Sequence, residues 1–169
     1  VWVYLVHLLY LLEKCLFQVC NMDKGYFKSP IGYIYIEGEK GYITKIQFCD
    51  EYIEIESPDY INECKKQLLE YFNGERKVFD LKLNPKGTEF QKKIWNELIK
   101  IPYGETKSYS EIAKNIGNPK ACRAVGNANN KNPIGICIPC HRVIGKNGSL
   151  TGYAGGIDKK EYLLNIEKI

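Results

Sequence analysis

The chain has 169 residues, of which 44% are hydrophobic and 26% charged, and its formal net charge at pH 7 is +4. This composition excludes a disordered protein, and the length suits one domain or a small domain joined to a slightly larger one. The sequence contains no low-complexity tract and no repeat at solenoid spacing.

The first segment, VWVYLVHLLYLLEKCLFQVCN, is dense in apolar residues and ends just before Met22, the only methionine. Its apolar run is too short to span a bilayer, and it lacks the basic region and cleavage site of a signal peptide. We interpret residues 1–21 as a non-native leader translated from upstream sequence. The alternatives are an N-terminal strand or helix packed on the body and, less favoured, membrane attachment.

Charge is distributed unevenly beyond the leader. Residues 22–85 carry a net charge of −3 and residues 86–169 a net charge of +7. A basic half suggests a polyanionic partner such as nucleic acid, although ordinary lysine usage explains the same excess. The five cysteines outside the leader are irregularly spaced, which favours free thiols in a reducing cytosol.

The segment after Met22 predicts a small sheet with one helix packed on it. Residues 31–37 and 41–48 alternate in strand fashion around a turn, and residues 52–56 are a possible third strand. Ser57 and Pro58 supply an N-cap and a first helical position. The helix that follows carries an apolar stripe and ends at Gly74; the stripe consists of Ile61, Cys64, Leu68 and Phe72. We expect this segment to be a scaffold.

Residues 84–87 form a predicted linker, and helices follow it. Thr88-x-x-Gln91 is a capping box, and the buried stripe of its helix consists of Phe90, Ile94, Leu98 and Ile101. Ser108-x-x-Glu111 is a second capping box, opening a helix through Ile116. Asn118 and Pro119 are expected to start the next helix, over about 119–129. The last two helices form a helix-turn-helix candidate.

The segment PKACRAVGNANN is unusual because Arg123 stands among small residues. Small side chains let a helix backbone approach another surface closely, and Arg123 would then extend from the helix toward that surface. The alternative is tight helix packing with a surface arginine.

Residues 134–139 predict a short apolar strand that Pro139 breaks just before Cys140. A glycine-rich loop follows, and Asp158-x-x-Glu161 is expected to cap the last helix.

Three interpretations compete for the sequence CIPCH. Cys137-x-x-Cys140 has metal or redox spacing, but structural zinc needs four ligands and the chain beyond the leader offers one histidine. A hydrolytic cysteine with a histidine base is a second possibility. The third is alkyl transfer to the cysteine.

The third interpretation rests on several motifs together. PCHRVIG, GYAGG, GTEFQKKIW, IPYGETKSYSEIA and RAVGNANNKNP resemble the O6-alkylguanine-DNA alkyltransferases in their order and spacing, from about residue 86 to the C-terminus. Residues 22–84 are similar to that family in size and expected topology. Cys140 is present, whereas alkyltransferase-like proteins that only bind lesions carry another residue there.

This resemblance implies the roles of the catalytic residues. Cys140 is the nucleophile, and His141 is its base through a bridging water. Glu167 orients the imidazole, and Asn132 bonds the turn that carries Cys140. Tyr109 is the donor to the leaving guanine. The protein is expected to act once, because the product is a stable thioether.

The resemblance also implies how the base and the DNA are held. Tyr153 walls the base pocket, within a glycine-rich loop that includes Gly152. The Ala154 N–H is a second donor to the leaving guanine. Carbonyl groups near Cys140 and Val143 accept hydrogen bonds from the guanine amino group. Arg142 is expected to be structural or to face a phosphate. In the DNA, Arg123 fills the space of a flipped-out nucleotide, and its small-residue helix enters the minor groove. Further DNA contacts are expected from Ala124, Lys120 and Lys131.

The expected protein is a suicide DNA repair alkyltransferase. It has an N-terminal α/β domain of ribonuclease H-like type (22–84) and a mostly helical domain with a helix-turn-helix (85–169). We expect a cytoplasmic monomer that acts on double-stranded DNA containing O6-alkylguanine and uses no cofactor, metal or membrane. The rival hypothesis is a DNA-binding module that recognises lesions without transfer chemistry.

Overall fold

A computed structural model describes residues 22–168, so the predicted leader lies outside the described residues. Three strands, Asp23–Ser29 (β1), Gly32–Glu39 (β2) and Tyr42–Cys49 (β3), form an antiparallel sheet in the order β1-β2-β3. The two strands predicted on either side of the tight turn are thereby confirmed as β2 and β3. The turn between them requires positive φ angles, 52° at Lys40 and 83° at Gly41.

The predicted third strand was assigned to the wrong segment. Residues 52–56 have no regular secondary structure, and Ile53 and Ile55 are 48% and 38% exposed. The third strand is β1, which pairs with β2 along its whole length. Alternating apolar and polar residues indicate only that a segment could form a strand. The segment must also find a sheet edge whose backbone groups are free to bond to it.

One helix, Asp59–Phe72 (α1), packs against the sheet, as predicted. Its apolar face is buried, and Gly74 follows its end with a φ of 76°. The N-cap is Pro58 and not Ser57, whose hydroxyl donates to the Lys24 carbonyl. The glycine at position 25 permits close packing, since a Cβ there would lie 2.5 Å from Ile61 Cγ2.

The second half of the chain is mostly helical. Both predicted capping boxes are confirmed: Thr88 caps Glu89–Ile99 (α2), and Ser108 caps Tyr109–Asn115 (α3). Phe90 was predicted to be buried but is 38% exposed, and Trp95 takes the core position with 1% exposure. The remaining elements are Lys107–Ser108 (β4), Cys122–Asn130 (α4), a 3₁₀ turn at Cys140–Arg142, Val143–Ile144 (β5) and Ile157–Ile166 (α5).

The starts of two helices differ from those predicted. Pro119 lies in a turn closed by a hydrogen bond from Ala121 N to Asn118 O at 3.0 Å, so α4 begins only at Cys122. Proline suits the second position of such a turn as well as a helix start, which explains the error. Helix α5 begins at Ile157 after Gly156, and Asp158 makes no cap.

The apolar segment 134–139 is also not a strand. It curls through successive turns, with Ile136 at a φ of 69°, and only Ile134 bridges to the sheet, at Ile46. A short apolar run indicates burial without distinguishing a strand from a buried turn. The consequence is that this buried turn leads directly into Cys140.

The two halves share one hydrophobic core. Residues from α1, the sheet, α2, α4 and the 134–143 segment belong to a single buried cluster. Backbone hydrogen bonds from Ile46 N to Pro133 O and from Gly135 N to Ile46 O, both 2.9 Å, join β3 to the segment before Cys140. The α/β fold class is thus confirmed. Within residues 22–168, no helix is long and apolar enough to cross a membrane.

Candidate active site

The turn that carries Cys140 is held by Asn132. The Asn132 Nδ2 donates to the Ile138 carbonyl at 2.8 Å, and its Oδ1 accepts from the Ile134 N–H at 3.0 Å. Both side-chain groups of a buried amide are therefore used to shape the backbone before the cysteine. Asn132 thus bonds the backbone just before Cys140, and Cys140 itself is 6% exposed.

His141 and Glu167 form a buried pair, and both lie within the region predicted for the site. The His141 Nε2 is 2.8 Å from Glu167 Oε1, and the two residues are 0% and 1% exposed. Because a carboxylate accepts hydrogen bonds, Nε2 carries the proton in a neutral imidazole and Nδ1 keeps its lone pair. The Nδ1 atom has no hydrogen-bond partner among the described residues, so His141 has the tautomer that a base requires.

Two residues that the sequence did not assign to the site complete the carboxylate's environment. The Tyr71 hydroxyl, from α1, donates to Glu167 Oε1 at 2.6 Å. Arg142 donates to both carboxylate oxygens, at 2.8 Å from Nε and 3.0 Å from Nη2, and also to the Ile101 carbonyl at 2.6 Å. Arg142 is buried, so of its two expected roles the structural one is realised. No local signal marks Tyr71, whose partner lies ninety-six positions away.

These contacts set the ionisation of the site. Burial would raise the pKa of Glu167, but hydrogen bonds from His141, Arg142 and Tyr71 lower it to about 2. Burial lowers the pKa of His141, against the opposing effect of Glu167. Burial raises the pKa of Cys140, and Asn132, Lys160 and nearby backbone N–H groups act in the opposite direction. At neutral pH the thiol therefore depends on these neighbours to lose its proton.

Lys160 is a further buried residue that the sequence did not predict. It is 0% exposed, and its Nζ donates to the carbonyl oxygens of Val143 at 2.5 Å and Thr151 at 2.8 Å. Burial lowers the pKa of Lys160 to about 8, with an opposing contribution from Cys140. Its ammonium makes no ion pair among residues 22–168. A cation in this position favours a thiolate at Cys140.

Tyr109 contacts the loop at Thr151, which Lys160 also contacts. Its hydroxyl donates to the Thr151 carbonyl at 2.9 Å, so in this structure it is bonded to the protein and not free for a base. Gly152, with a φ of 62°, lies beside it, and a Cβ there would be 3.0 Å from the Tyr109 hydroxyl. Tyr109 and Gly152 are thus adjacent, and the glycine permits the close approach.

A cavity of about 230 Å³ lies next to Cys140. Tyr153, predicted to wall the base pocket, and Ala154, predicted as a backbone donor, line it together with Asn129 of α4. The sheet contributes Ile46 and Phe48 to the lining of the cavity. Gly152 and Val143 are not among the lining residues; the Val143 carbonyl already accepts from Lys160. The cavity and the thiol together can accommodate a flat molecule against the sulfur.

The residues predicted to contact DNA lie on the surface at α4. Arg123, Ala124, Lys120 and Lys131 are all exposed, whereas Val125 and Ala128 of the same helix are buried. The helix thus buries one small-residue face in the core and presents Arg123 to solvent. Helices α3 and α4 pack against each other.

We expect a Lys160→Met variant to react more slowly at Cys140, because the thiolate loses a neighbouring cation. Loss of the cation raises the pKa of the thiol and lowers the thiolate fraction at neutral pH, so we expect the rate to fall by roughly three- to tenfold. The measurement is the pH dependence of Cys140 alkylation by iodoacetamide. Lys159→Met, at the adjacent and less buried position, is the control and should leave the rate unchanged. An unchanged rate in Lys160→Met would contradict the electrostatic role.

The chain matches family models and curated proteins over most of its length. Residues 89–169 match the family domain described as 6-O-methylguanine DNA methyltransferase, DNA binding domain, and residues 22–85 match the ribonuclease-like domain of the same family. The chain is 57% identical over 148 residues to a methylated-DNA–protein-cysteine methyltransferase of Methanosarcina acetivorans, covering 83% of this chain and 95% of the relative. It is 48% identical over 153 residues to the constitutive enzyme of that name from Bacillus subtilis, covering 84% and 93%.

Solved structures give the same result. The fold matches the O6-methylguanine methyltransferase of Mycobacterium tuberculosis with a TM-score of 0.80 and 44% identity, covering 87% of this chain and 93% of that one. A structure of Mycobacterium tuberculosis OGT in complex with DNA matches with a TM-score of 0.79 and 46% identity, covering 86% and 92%. The chain therefore belongs to the 6-O-methylguanine DNA methyltransferase family.

Proposed function

We propose that this protein repairs double-stranded DNA by transferring the alkyl group of O6-alkylguanine irreversibly to its own Cys140. The observation that carries the proposal is the buried series Tyr71–Glu167–His141, in which His141 Nδ1 has no partner among residues 22–168. His141 directly follows Cys140, which lines a cavity. The family, and relatives named as methylated-DNA–protein-cysteine methyltransferases, support the same chemistry.

In the first step the thiol of Cys140 gives its proton to His141 Nδ1 through a bridging water. Glu167 stabilises the imidazolium that forms, since its carboxylate is ionised at neutral pH and bonded to Nε2. The charge formed on sulfur is stabilised by Lys160 and by the N–H groups of the turn. Asn132 acts as a positioning residue, because it holds the backbone that carries the sulfur.

In the second step the sulfur attacks the alkyl carbon. A carbon–sulfur bond forms, the bond from that carbon to O6 breaks, and its electron pair goes to the guanine. The guanine then takes a proton, so the base leaves in its normal form. Tyr109 is the proposed donor, and to act so its hydroxyl exchanges the Thr151 carbonyl for the base. The proton that His141 took from Cys140 then passes through water to the Tyr109 phenolate, so both side chains end neutral. The Ala154 N–H is the second proposed donor, and Tyr153 walls the base; both line the cavity.

The base must leave the duplex to reach a sulfur that is 6% exposed. Flipping costs a few kcal/mol, which a side chain inserted into the stack partly offsets. We propose that α4 enters the minor groove with Arg123 as that side chain. Ala124 and Gly152 allow close approach of backbone to the DNA and the base, and Lys120 and Lys131 contact phosphates. Residues 85–169 thus bind DNA, and residues 22–84 serve as the scaffold.

The product is a thioether, which water does not cleave, so each molecule reacts once. No second subunit is needed for the arrangement described, and we propose a monomer. Five free cysteines in the described part of the chain are consistent with a reducing cytoplasm.

Transfer is tested with duplex DNA that carries a labelled methyl group on O6 of guanine. We expect one label per protein molecule at most, and a gain of one methyl group in the intact mass, located on Cys140 by peptide mapping. Binding of the duplex without any transfer of label would instead favour the rival, a lesion-binding module.

We expect Arg123→Ala to impair repair of duplex DNA much more than reaction with free O6-methylguanine base. The variant loses the side chain that offsets flipping, whereas the free base needs no flipping. The measurement is the rate of methyl transfer from each substrate. Lys92→Ala removes one exposed charge on α2 and should affect neither rate strongly. Equal losses on the two substrates would contradict the inserted-side-chain role.

A further inference from the structure

Asn129 has a buried hydrogen-bond acceptor that no described residue uses. It lies in the last turn of α4, is 1% exposed and lines the cavity next to Cys140. Its Nδ2 is 3.4 Å from the carbonyl oxygen of Cys140, and its Oδ1 has no hydrogen-bond partner within residues 22–168. Because a carbonyl can only accept, the amide nitrogen faces Cys140 and the amide oxygen faces away from it.

Two neighbouring asparagines that also line the cavity, Asn130 and Asn132, do not share this feature. Asn132 uses both of its side-chain groups on the backbone before Cys140. Asn130 is exposed and can be solvated by water. A buried acceptor without a donor destabilises a protein, and most such groups in native structures have a partner. Asn129 is one of the residues that line the cavity next to the nucleophile, and its Oδ1 has no partner within residues 22–168, so a ligand bound in the cavity is the candidate partner.

We propose that Asn129 Oδ1 accepts a hydrogen bond from the exocyclic 2-amino group of the flipped-out base and so makes the pocket selective for O6-alkylguanine. This inference rests on the proposed function. Alkylation at O6 removes the hydrogen from N1, and N9 carries the sugar, so the 2-amino group supplies the only N–H donors of this base. An O4-alkylated thymine has no N–H donor, because its N3 has lost its hydrogen in the same way.

The carbonyl groups near the sulfur are already partly occupied. The Cys140 carbonyl accepts from Asn129, and the Val143 carbonyl accepts from Lys160. The amino group of the base has two hydrogens, so it can bond Asn129 Oδ1 and one of these carbonyls together. A thymine lesion in the same place would leave the amide oxygen buried and unbonded. Selectivity against it therefore follows from the cost of an unmade hydrogen bond.

The test compares two duplexes that differ by the amino group alone, one with O6-methylguanine and one with O6-methylhypoxanthine. Single-turnover rates of methyl transfer are measured for the wild type and for Asn129→Leu. We expect the wild type to prefer O6-methylguanine by about tenfold or more, and the preference to fall by about three- to tenfold in Asn129→Leu. The cost of flipping each base is common to both proteins, so it cancels in the comparison.

Controls separate recognition from structure. Loss of the Nδ2 bond to Cys140 slows both substrates alike and leaves their ratio unchanged. Asn129→Asp keeps an acceptor and should retain a preference at least as large as that of the wild type, and Asn130→Leu should retain it as well. Melting curves report whether each variant folds. If Asn129→Leu does not fold, the substrate preference of Asn129→Asp is the test of the proposal.

An unaltered preference in a folded Asn129→Leu variant, or a lost preference in a folded Asn129→Asp variant, overturns the proposal. A preference for O6-methylguanine that is lost in Asn130→Leu overturns the proposal as well. A wild-type protein that transfers methyl groups from neither duplex shows instead that the proposed function is wrong.

Discussion

A Cys140→Ser variant transfers no detectable methyl group to itself, yet still binds duplex DNA that contains O6-methylguanine. Serine is nearly isosteric with cysteine, so the 3₁₀ turn and the hydrogen bonds of Asn132 to its backbone are retained. A hydroxyl is a far weaker nucleophile than a thiolate at neutral pH. The effect is therefore on the reaction and not on the fold or on the DNA-binding surface.

Intact-mass measurement after incubation with the lesion-bearing duplex checks this expectation, together with a binding titration on the same DNA. Cys122→Ser replaces a partly exposed thiol on α4 and should still gain one methyl group per molecule. Cys137→Ala should do so too, because Cys137 is a buried residue whose pKa is raised by burial and not a partner in the chemistry. A mass gain that persists in Cys140→Ser would disprove the assignment of the nucleophile.

The second large effect is expected on stability. Replacing Glu167 by alanine leaves the buried guanidinium of Arg142 without its carboxylate and the Tyr71 hydroxyl without its acceptor. Removing one partner of a buried ion pair typically costs about 3–5 kcal/mol in the free energy of unfolding. Methyl transfer should also slow strongly, because His141 loses the group that stabilises its charged form. Urea unfolding and single-turnover transfer measure the two effects.

Glu161→Ala is the matched control, since Glu161 is an exposed carboxylate on α5, the helix that ends just before Glu167. Its removal should change the free energy of unfolding by no more than about 0.5 kcal/mol. The pH dependence gives a second check. The pKa of Glu167 is about 2 in the folded protein against an ordinary value of 4.5. Its stabilisation is therefore fully present above pH 4.5 and is lost as the pH falls toward 2.

Glu167→Gln cannot titrate at this position, so its deficit relative to the wild type should shrink over that pH range. A deficit that is constant from pH 5 to pH 2 would mean that the carboxylate contributes nothing through its charge. Comparison of the two Glu167 variants then separates the loss of charge from the loss of hydrogen bonds.

Features that depend on a few adjacent residues could be predicted from the sequence. The capping boxes at Thr88 and Ser108 join residues three positions apart, so each is complete within its own segment. The adjacency of Cys140 and His141 is likewise local. Both residues belong to the motif PCHRVIG, and the resemblance of that motif to a known family indicated the chemistry.

Other features could not be predicted because they depend on which distant segment pairs with a residue or packs over it. The isoleucines of 52–56 have strand periodicity but no edge to pair with, and β1, with less regular periodicity, occupies the edge of β2. Lys160 and Asn129 look like solvated polar residues in the sequence, and each is buried by a different part of the chain.

The amino-acid sequence by itself determined the helix starts at α2 and α3, the pairing of a cysteine with an adjacent histidine, and the small-residue helix with its exposed arginine. Only the tertiary structure decided that Tyr71 would reach Glu167 and that Lys160 would bond the Thr151 carbonyl. It also decided that the buried amide oxygen of Asn129 would have no partner within residues 22–168. The physical reason is range: a capping bond spans three residues, whereas the bond between Tyr71 and Glu167 spans ninety-six. Burial of a polar group depends on which distant segment packs over it.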